Sequence, residues 1–493
     1  MRDRKHLIAV ETFTVDESSF RNAKLRHALL IAYKTFADLA GKGALFVITV
    51  AAARRLTPQF FGIFSFGATL GWLVAVATDF GIQLHLARAV ARRPADAAAL
   101  LRTWLRVRVC MAVGAVAIVG IGAFASPWRA AYGAPVTVFA AMYAGSSLIE
   151  FLHYFYRGLS RSDLEASLIL WQRGGTLACG FLALAWKPDV TVLALALLLP
   201  VAVTLAVSLR IALRVEADPR VISAAGADTR LRPYTPSVGA DARVGATFLG
   251  DVFPIGAGIV LSALYFRIDV FLVQLWSGTE SVALYNAVFR LVEALRLFPA
   301  AVLAVTLPGL VRARDLKPLL QVSAPVTAFA TAAAVVLWLA AGWVIPLIYG
   351  APYAAAVPAF RILLLSFPLL SLNYALTHQL IVWDGQRTYA ALCGLALGIN
   401  VALNARLIPS WSIEGAAWST LGTEAFLTIG CATGLWVVRS RRSGAGSPGA
   451  EVLGAEVLGA VPGAEVRGAE VWGAEVRGAE VRGAVVRAAE VRS

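Results

Sequence analysis

Charge is scarce in this sequence. Asp, Glu, Lys and Arg make up 15% of the 493 residues, against about 25% in an ordinary soluble domain. Hydrophobic residues make up 59%. A water-facing surface cannot be built from so few charges, and this excludes a soluble globular protein. Histidine and cysteine are rarer still, at 5 and 4, and none has metal-ligand spacing. Cys110, Cys179, Cys393 and Cys431 all fall in apolar segments and read as small core residues. The run AGKG at 40–43 lacks the parts of a phosphate loop, with Phe36 where a glycine is needed and Gly43 where Ser or Thr is needed. No serine nucleophile elbow occurs. Residues 1–27 are polar and of mixed charge, unlike a signal peptide, so the first helix is expected to act as the insertion signal.

What is present is apolar and long. Many windows approach the 20 or so residues an α-helix needs to cross a bilayer core of about 30 Å. They are too continuous for barrel strands. The expectation is an all-α polytopic membrane protein with about 12 transmembrane helices. The spans are predicted near 28–53, 61–84, 107–126, 134–156, 166–186, 190–212, 247–276, 281–310, 319–345, 354–383, 388–406 and 412–438. A cytoplasmic arm (1–27), a loop between halves (213–246) and a low-complexity tail (439–493) complete the chain. GAEV occurs six times in that tail. A five-residue repeat holds no constant helix face, and the tail is read as disordered.

The basic excess orients the bundle. The net charge of +14 is concentrated in alternate loops, as in membrane proteins whose cytoplasmic loops collect Lys and Arg. Six Lys/Arg lie in the N-terminal arm, six in 85–108 and six in 210–246. The opposite side carries Arg54, Arg55, Arg129, Lys187 and Arg406. Both termini are therefore expected in the cytoplasm, and nucleic acid is not an expected partner. Trp128, Trp186, Trp276, Trp343 and Trp411 are expected to form an outer aromatic belt.

The chain is also built twice. Tyr-Gly-Ala-Pro occurs at 132–135 and at 349–352. Gly62-Ile63-Phe64-Ser65 corresponds to Ala283-Leu284-Tyr285-Asn286, and HYFYRGLSR (153–161) to HQLIVWDGQR (378–387). Three anchors in one order predict two parallel six-helix lobes, 28–212 and 247–438, around a central cavity. Each YGAP is expected at an outer corner, as a turn and helix start.

Charges inside spans require a reason, because each costs about 2.5–3.5 kcal/mol at a helix centre. Arg267 and Asp269 on the seventh span, and Arg290 and Glu293 on the eighth, are predicted near mid-depth on neighbouring antiparallel helices joined by SGTE, with Arg296 continuing an i, i+3 ladder of alternating charge. They either line a cavity or lock the two helices as ion pairs. Lys34, Asp38 and Lys42 share one face of the first span, and Arg173 is a deeper candidate on the fifth. Asp79, Asp251, Glu150, His153 and His378 are expected near the cytoplasmic face in interfacial or gating roles. Asn400 and Asn404 suit hydrogen bonding between helices.

ARRLTPQFFGIFSF followed by ATDFGI resembles the start of Wzx-type polysaccharide-unit flippases, of the multidrug/oligosaccharidyl-lipid/polysaccharide exporter superfamily. SALYFRIDVFLVQLWSGTESVALYNAVFRLVEAL is similar to the seventh and eighth helices of that family. FRILLLSFPLLSLNYALTHQLIVWDGQR and GINVALNARLIPSWSIEGAAWSTLGTE are similar to its tenth to twelfth. The resemblance covers roughly 28–438. It implies a transporter rather than an enzyme, working by alternating access in the inner membrane, with no cofactor. The implied cargo is an oligosaccharide on undecaprenyl diphosphate. Membrane lipids and other polysaccharide-assembly membrane proteins are the further partners. On this reading Arg267 and Arg290 meet the diphosphate and the carboxylates position them. Asp38 either contacts a headgroup or couples transport to H+ or Na+. A drug or small-metabolite exporter and a lipid II flippase are the alternatives within the superfamily. An enzyme of the same pathway is disfavoured by the short, poorly charged outer loops.

Overall fold

The computed structural model describes residues 17–92, 94–159, 161–217, 253–312, 316–383 and 385–444. Asp251 and most of the arm, the central loop and the tail lie outside the described residues.

The first half folds into α1 (Glu17–Arg55), α2 (Pro58–Asp79), a short α3 (Ile82–Arg92), α4 (Ala97–Ala125), α5 (Arg129–Gly158), α6 (Ser162–Trp186) and α7 (Val190–Ala217). The second half comprises α8 (Phe253–Ser277), α9 (Thr279–Leu295), α10 (Leu297–Arg312), α11 (Lys317–Tyr349), α12 (Val357–Val382) and α13 (Gln386–Gly444). Ten described helices are long and apolar enough to cross a membrane. Two features raise the number of crossings to the expected twelve. One predicted span is broken into α9 and α10 at Arg296. Meanwhile α13 reverses at Ser412 (φ 48°, ψ −126°) into two arms. Asn400 on the first arm donates to Thr423 on the second at 3.1 Å, so the arms form a hairpin. At that reversal a side chain on Gly415 would meet the Leu407 carbonyl oxygen at 2.4 Å.

Local signals explain most boundaries. Thr57 caps α2 through the Phe60 amide at 3.3 Å, with Pro58 in the first turn. Phe80 and Gly81 take positive φ (46° and 79°). Asp79 accepts from the Gly81 and Gln83 amides across that turn. The segment after Asp79 was expected to run on as span and then loop. It instead turns sharply into α3, whose apolar side joins the core through Ile82, Leu86 and Val90. The two YGAP copies also differ. Tyr349-Gly350 closes α11 with Gly350 at φ 101°, as expected of a corner. Tyr132–Pro135 lies inside the first turns of α5, because the chain already reverses at 126–128.

The two lobes repeat their packing. α1 lies on α6 in one, and α8 lies on the first arm of α13 in the other, so each pair joins the first and fifth spans of its half. Between lobes, α2 runs antiparallel along α8, bringing Phe66 to Phe271 (centroids 5.2 Å) at one end and Gly256 against Phe80 at the other. The exposed Trp128, Trp186, Trp276, Trp343 and Trp411 stand near helix ends, as an interfacial belt requires. The end carrying them is termed outer, on the charge-based orientation. There the lobes are sealed. Arg54 Nε donates across to the Ile348 carbonyl at 2.8 Å, and its guanidinium also reaches the Leu347 carbonyl. Tyr353 donates to the Ala53 carbonyl at 3.3 Å. Phe61, Phe64, Tyr285, Tyr349 and Tyr353 belong to one continuous buried cluster that crosses the lobe boundary.

Candidate functional site

Among the described residues, charged side chains gather in three places that bear on function. The first is where the lobes meet. Arg267 on α8 and Arg290 on α9 both donate to the same oxygen, Glu293 Oε2, at 2.7 and 2.8 Å. The sequence placed these residues at similar depth, and they do touch. Arg267 lies about 15 Å from the outer end of α8 by helix rise. Its guanidinium also lies over the rings of Phe289 (4.5 Å) and Phe266 (5.3 Å). A buried guanidinium is retained by such a combination of carboxylate and ring faces. Arg267 is only 3% exposed in its side chain, whereas Glu293 is 33% and Arg290 25% exposed. The accessible edge is therefore Glu293–Arg290, with Arg267 behind it. Two guanidinium groups on one carboxylate leave a net charge of +1. Arg296, where α9 gives way to α10, stacks on Phe266 at 4.4 Å.

Asp269 is engaged elsewhere. It accepts from the Tyr285 hydroxyl and from the Val270 amide, and Tyr285 meets Thr420 of α13 at 3.2 Å. Asp269 and Tyr285 are both buried, so this arrangement ties α8, α9 and α13 together.

The second group is in the N-terminal lobe. Asp38, Lys42 and Arg173, singled out separately in the sequence, line one cavity of about 140 Å³ between α1, α5 and α6. Glu150, His153 and Gln172 share it. The approach of α6 to α1 is set by Gly41, where an added side chain would lie 3.3 Å from Arg173 Cγ. Lys34 is on the same helix, but its side chain lies outside the described residues. His153 was expected at a solvated interface and is instead buried, as are His378 and Asp79. Asp79 is 3.6 Å from Arg108, which donates to Ser147 at 2.6 Å. Arg108 is 1% exposed. Counting it as a loop charge missed that α4 already begins at Ala97.

The third group was not anticipated. Glu424 on the second arm of α13 is 2% exposed and accepts from Asn373 Nδ2 on α12 at 2.8 Å. With Arg296, Tyr265, Tyr374 and Tyr389 they line a small cavity in the C-terminal lobe. The signal for Glu424 was available, since it is an acid inside an apolar span and thus meets the criterion that identified Arg267. The cysteines divide: Cys393 and Cys431 are buried as expected, but Cys110 is exposed on α4.

Comparison with known proteins bears on the fold and the family. Among solved structures, the chain is similar to an outward-facing multidrug resistance MATE family transporter of the MOP superfamily. The identity there is 16%, covering 84% of this chain and 97% of that one, with a TM-score of 0.58. It is also similar to the lipid II flippase MurJ in an inward closed conformation, at 12% identity, 82% and 87% coverage and a TM-score of 0.57. A MOP superfamily transporter from Pyrococcus furiosus gives 14% identity, 85% and 96% coverage and a TM-score of 0.54. At such identities the likeness establishes the two-lobed fold. A search of curated protein sequences found no match. The family model described as "Polysaccharide biosynthesis protein" matches residues 31–314, more than half of the sequence. On that match the chain belongs to the polysaccharide biosynthesis protein family.

Proposed function

We propose that the protein is a flippase that carries polyprenyl-diphosphate-linked oligosaccharide units from the cytoplasmic to the outer leaflet of the inner membrane. The observation that carries this reading is the pair of arginines on one carboxylate, at mid-depth between the lobes. A diphosphate and its sugars cannot enter hydrocarbon without replacements for their water. Arg290, held by Glu293 at the accessible edge, supplies the fork that matches phosphate oxygens. Family membership and the two-lobed fold support the same reading, and the seal at the outer end suits a state that receives cargo from the cytoplasm. The lobes 28–212 and 247–438 would rock about the α2–α8 contact, with both termini and the 213–246 loop in the cytoplasm. Asp38 in the N-terminal cavity is the candidate for H+ or Na+ coupling. Arg267, Arg290 and Arg296 make a basic mid-depth site, and this sets the reading against a carrier of cationic drugs.

The test is deletion of the gene followed by analysis of lipid-linked intermediates. Undecaprenyl-linked units should accumulate on the cytoplasmic side. Arg267→Ala and Arg290→Ala should insert normally and fail to restore surface glycan. Normal surface glycan together with a drug-sensitivity phenotype would overturn the proposal in favour of an exporter.

A further inference from the structure

The two cavities inside the lobes occupy related positions in the repeat. In the register that pairs His153 with His378, a shift of 225 residues, Ser146 and Ile149 of the N-terminal cavity correspond to Ser371 and Tyr374. Tyr374 lines the C-terminal cavity. Their chemistry has diverged. The N-terminal cavity carries Asp38, Lys42, Glu150 and Arg173, whereas ring faces and hydrogen-bonding groups dominate its counterpart.

We propose that the C-terminal cavity is the subsite for the sugar attached directly to the diphosphate, with Tyr374 and Trp72 as stacking faces and Asn373 and Glu424 as hydroxyl partners. The inference rests on the flippase reading and adds where, and by which residues, the first sugar is held.

Three observations carry it. The first is continuity with the arginines. Phe266 and Arg296 line the cavity, and the Phe266 ring is in contact with the guanidinium groups of both Arg267 (5.3 Å) and Arg296 (4.4 Å). In the cargo the anomeric carbon is bonded to a diphosphate oxygen, so a first-sugar subsite must adjoin the phosphate-binding cations. This cavity does. The second is the kind of group on its walls. A pyranose presents C–H edges with a positive skirt to the electron-rich faces of aromatic rings. Its hydroxyls both donate and accept, which an amide beside a carboxylate can answer. The third is an unmet hydrogen bond. Asn373 is 4% exposed; its Nδ2 donates to the carboxylate and to the backbone carbonyl of Glu424, at 2.8 and 2.9 Å. Its Oδ1 has no partner among the described residues. A buried amide oxygen without a donor is costly, and a sugar hydroxyl would supply the donor.

The cavity is narrow in this conformation. It has about 40 Å³ of room, enough for a water or two but not for a sugar. Among the residues lining it, Trp72 alone belongs to the N-terminal lobe. Parting α2 from α8 removes that wall, so access to the subsite would be coupled to movement of the lobes.

The test measures equilibrium binding to the full-length protein in lipid nanodiscs. The probes are radiolabelled farnesyl diphosphate and its diphosphate-linked glucosyl, galactosyl and N-acetylglucosaminyl derivatives. For the wild type, at least one sugar should raise affinity about tenfold over farnesyl diphosphate. Asn373→Ala and Trp72→Ala should each cut that gain to twofold or less while farnesyl diphosphate itself binds as before, which also reports that the variants are folded. A gain that survives in both variants overturns the subsite, as does a wild type to which no sugar adds affinity. If farnesyl diphosphate and all its derivatives fail to bind the wild type, the flippase reading falls, and the subsite with it.

Discussion

A glycine packed tightly against the other lobe offers a direct test of the outer seal. Gly62 on α2 faces the first turn of α9. A Cβ placed there would lie 2.1 Å from the Thr279 carbonyl oxygen, 2.7 Å from Thr279 Cγ2 and 2.9 Å from Thr279 C. Two of these three atoms are backbone, so no rotamer change relieves the clash, and α2 must part from α9 by about 1 Å. Tyr132 of α5 also hydrogen-bonds Thr279 across the boundary, so this bond would be stretched by the same movement. Overpacking of this kind costs about 1–3 kcal/mol. In a rigid core that would be lost stability, but two lobes that can separate will separate. Gly62→Ala should therefore lower the ratio of sealed to open protein by about 5- to 150-fold. Asn286, 1% exposed and two turns into α9 from Thr279, reports on the opening. Asn286→Cys, in a background lacking the four native cysteines, should react slowly with an impermeant maleimide added outside intact cells. Adding Gly62→Ala should accelerate labelling at least fivefold. An unchanged rate in a well-folded double variant would refute the assignment of α2–α9 as the outer seal.

Other substitutions test other parts of the structure. Arg54→Ala removes the guanidinium from the Leu347 and Ile348 carbonyls at the end of α11, and should accelerate the same labelling by a smaller factor, since Arg54 is exposed. Glu293→Gln leaves Arg267 buried without its carboxylate. Thermal unfolding in detergent should report a loss of roughly 3 kcal/mol, the lower end for breaking a buried pair. Arg267→Met together with Glu293→Gln should recover most of that loss but not transport, which separates holding the helices from meeting cargo. Gly415→Ala would drive a methyl group into the Leu407 carbonyl at the α13 reversal, and expression of folded protein should fall several-fold.

Composition and periodicity carried the architecture. Apolar run length marked the spans, and repeated anchors divided the chain in two. Among the candidate site residues, Arg267, Arg290 and Glu293 stood out because an ionised group in an apolar run is anomalous wherever it falls. How such groups pair was less legible, because pairing depends on helix rotation. Asp269 comes two residues after Arg267, which places it about 200° further round the helix. It consequently meets Tyr285, not an arginine. Arg108 and α3 escaped because loop length was inferred from charge, and a basic segment can be helical at a membrane face. The Ser412 reversal was legible, because it falls at the gap between the spans predicted at 388–406 and 412–438, beside Pro409.

Divergence between the halves is the part with mechanistic content. The repeat aligns Arg290 with Thr69 and Asn286 with Ser65. All four are on the helices that meet at the seal, α2 and α9. Ser65, Thr69 and Asn286 are buried, and Ser65 Oγ, Thr69 Oγ1 and both amide atoms of Asn286 have no partner among the described residues. Sealing the outer end therefore strands polar groups from both lobes, each at a cost of about 1–3 kcal/mol unless water or cargo reaches it. Opening the outer end would hydrate them. The apolar contacts of Phe61, Phe64 and Tyr353 hold the seal closed, and the stranded polar groups oppose them. Two terms of opposite sign leave a smaller net preference for the sealed state, so that a modest differential binding energy could shift the lobes. Ser65→Ala and Thr69→Val remove only the opposing term. Together they should slow the outer labelling of Asn286→Cys, the reverse of Gly62→Ala, and labelling that quickens would count against this balance.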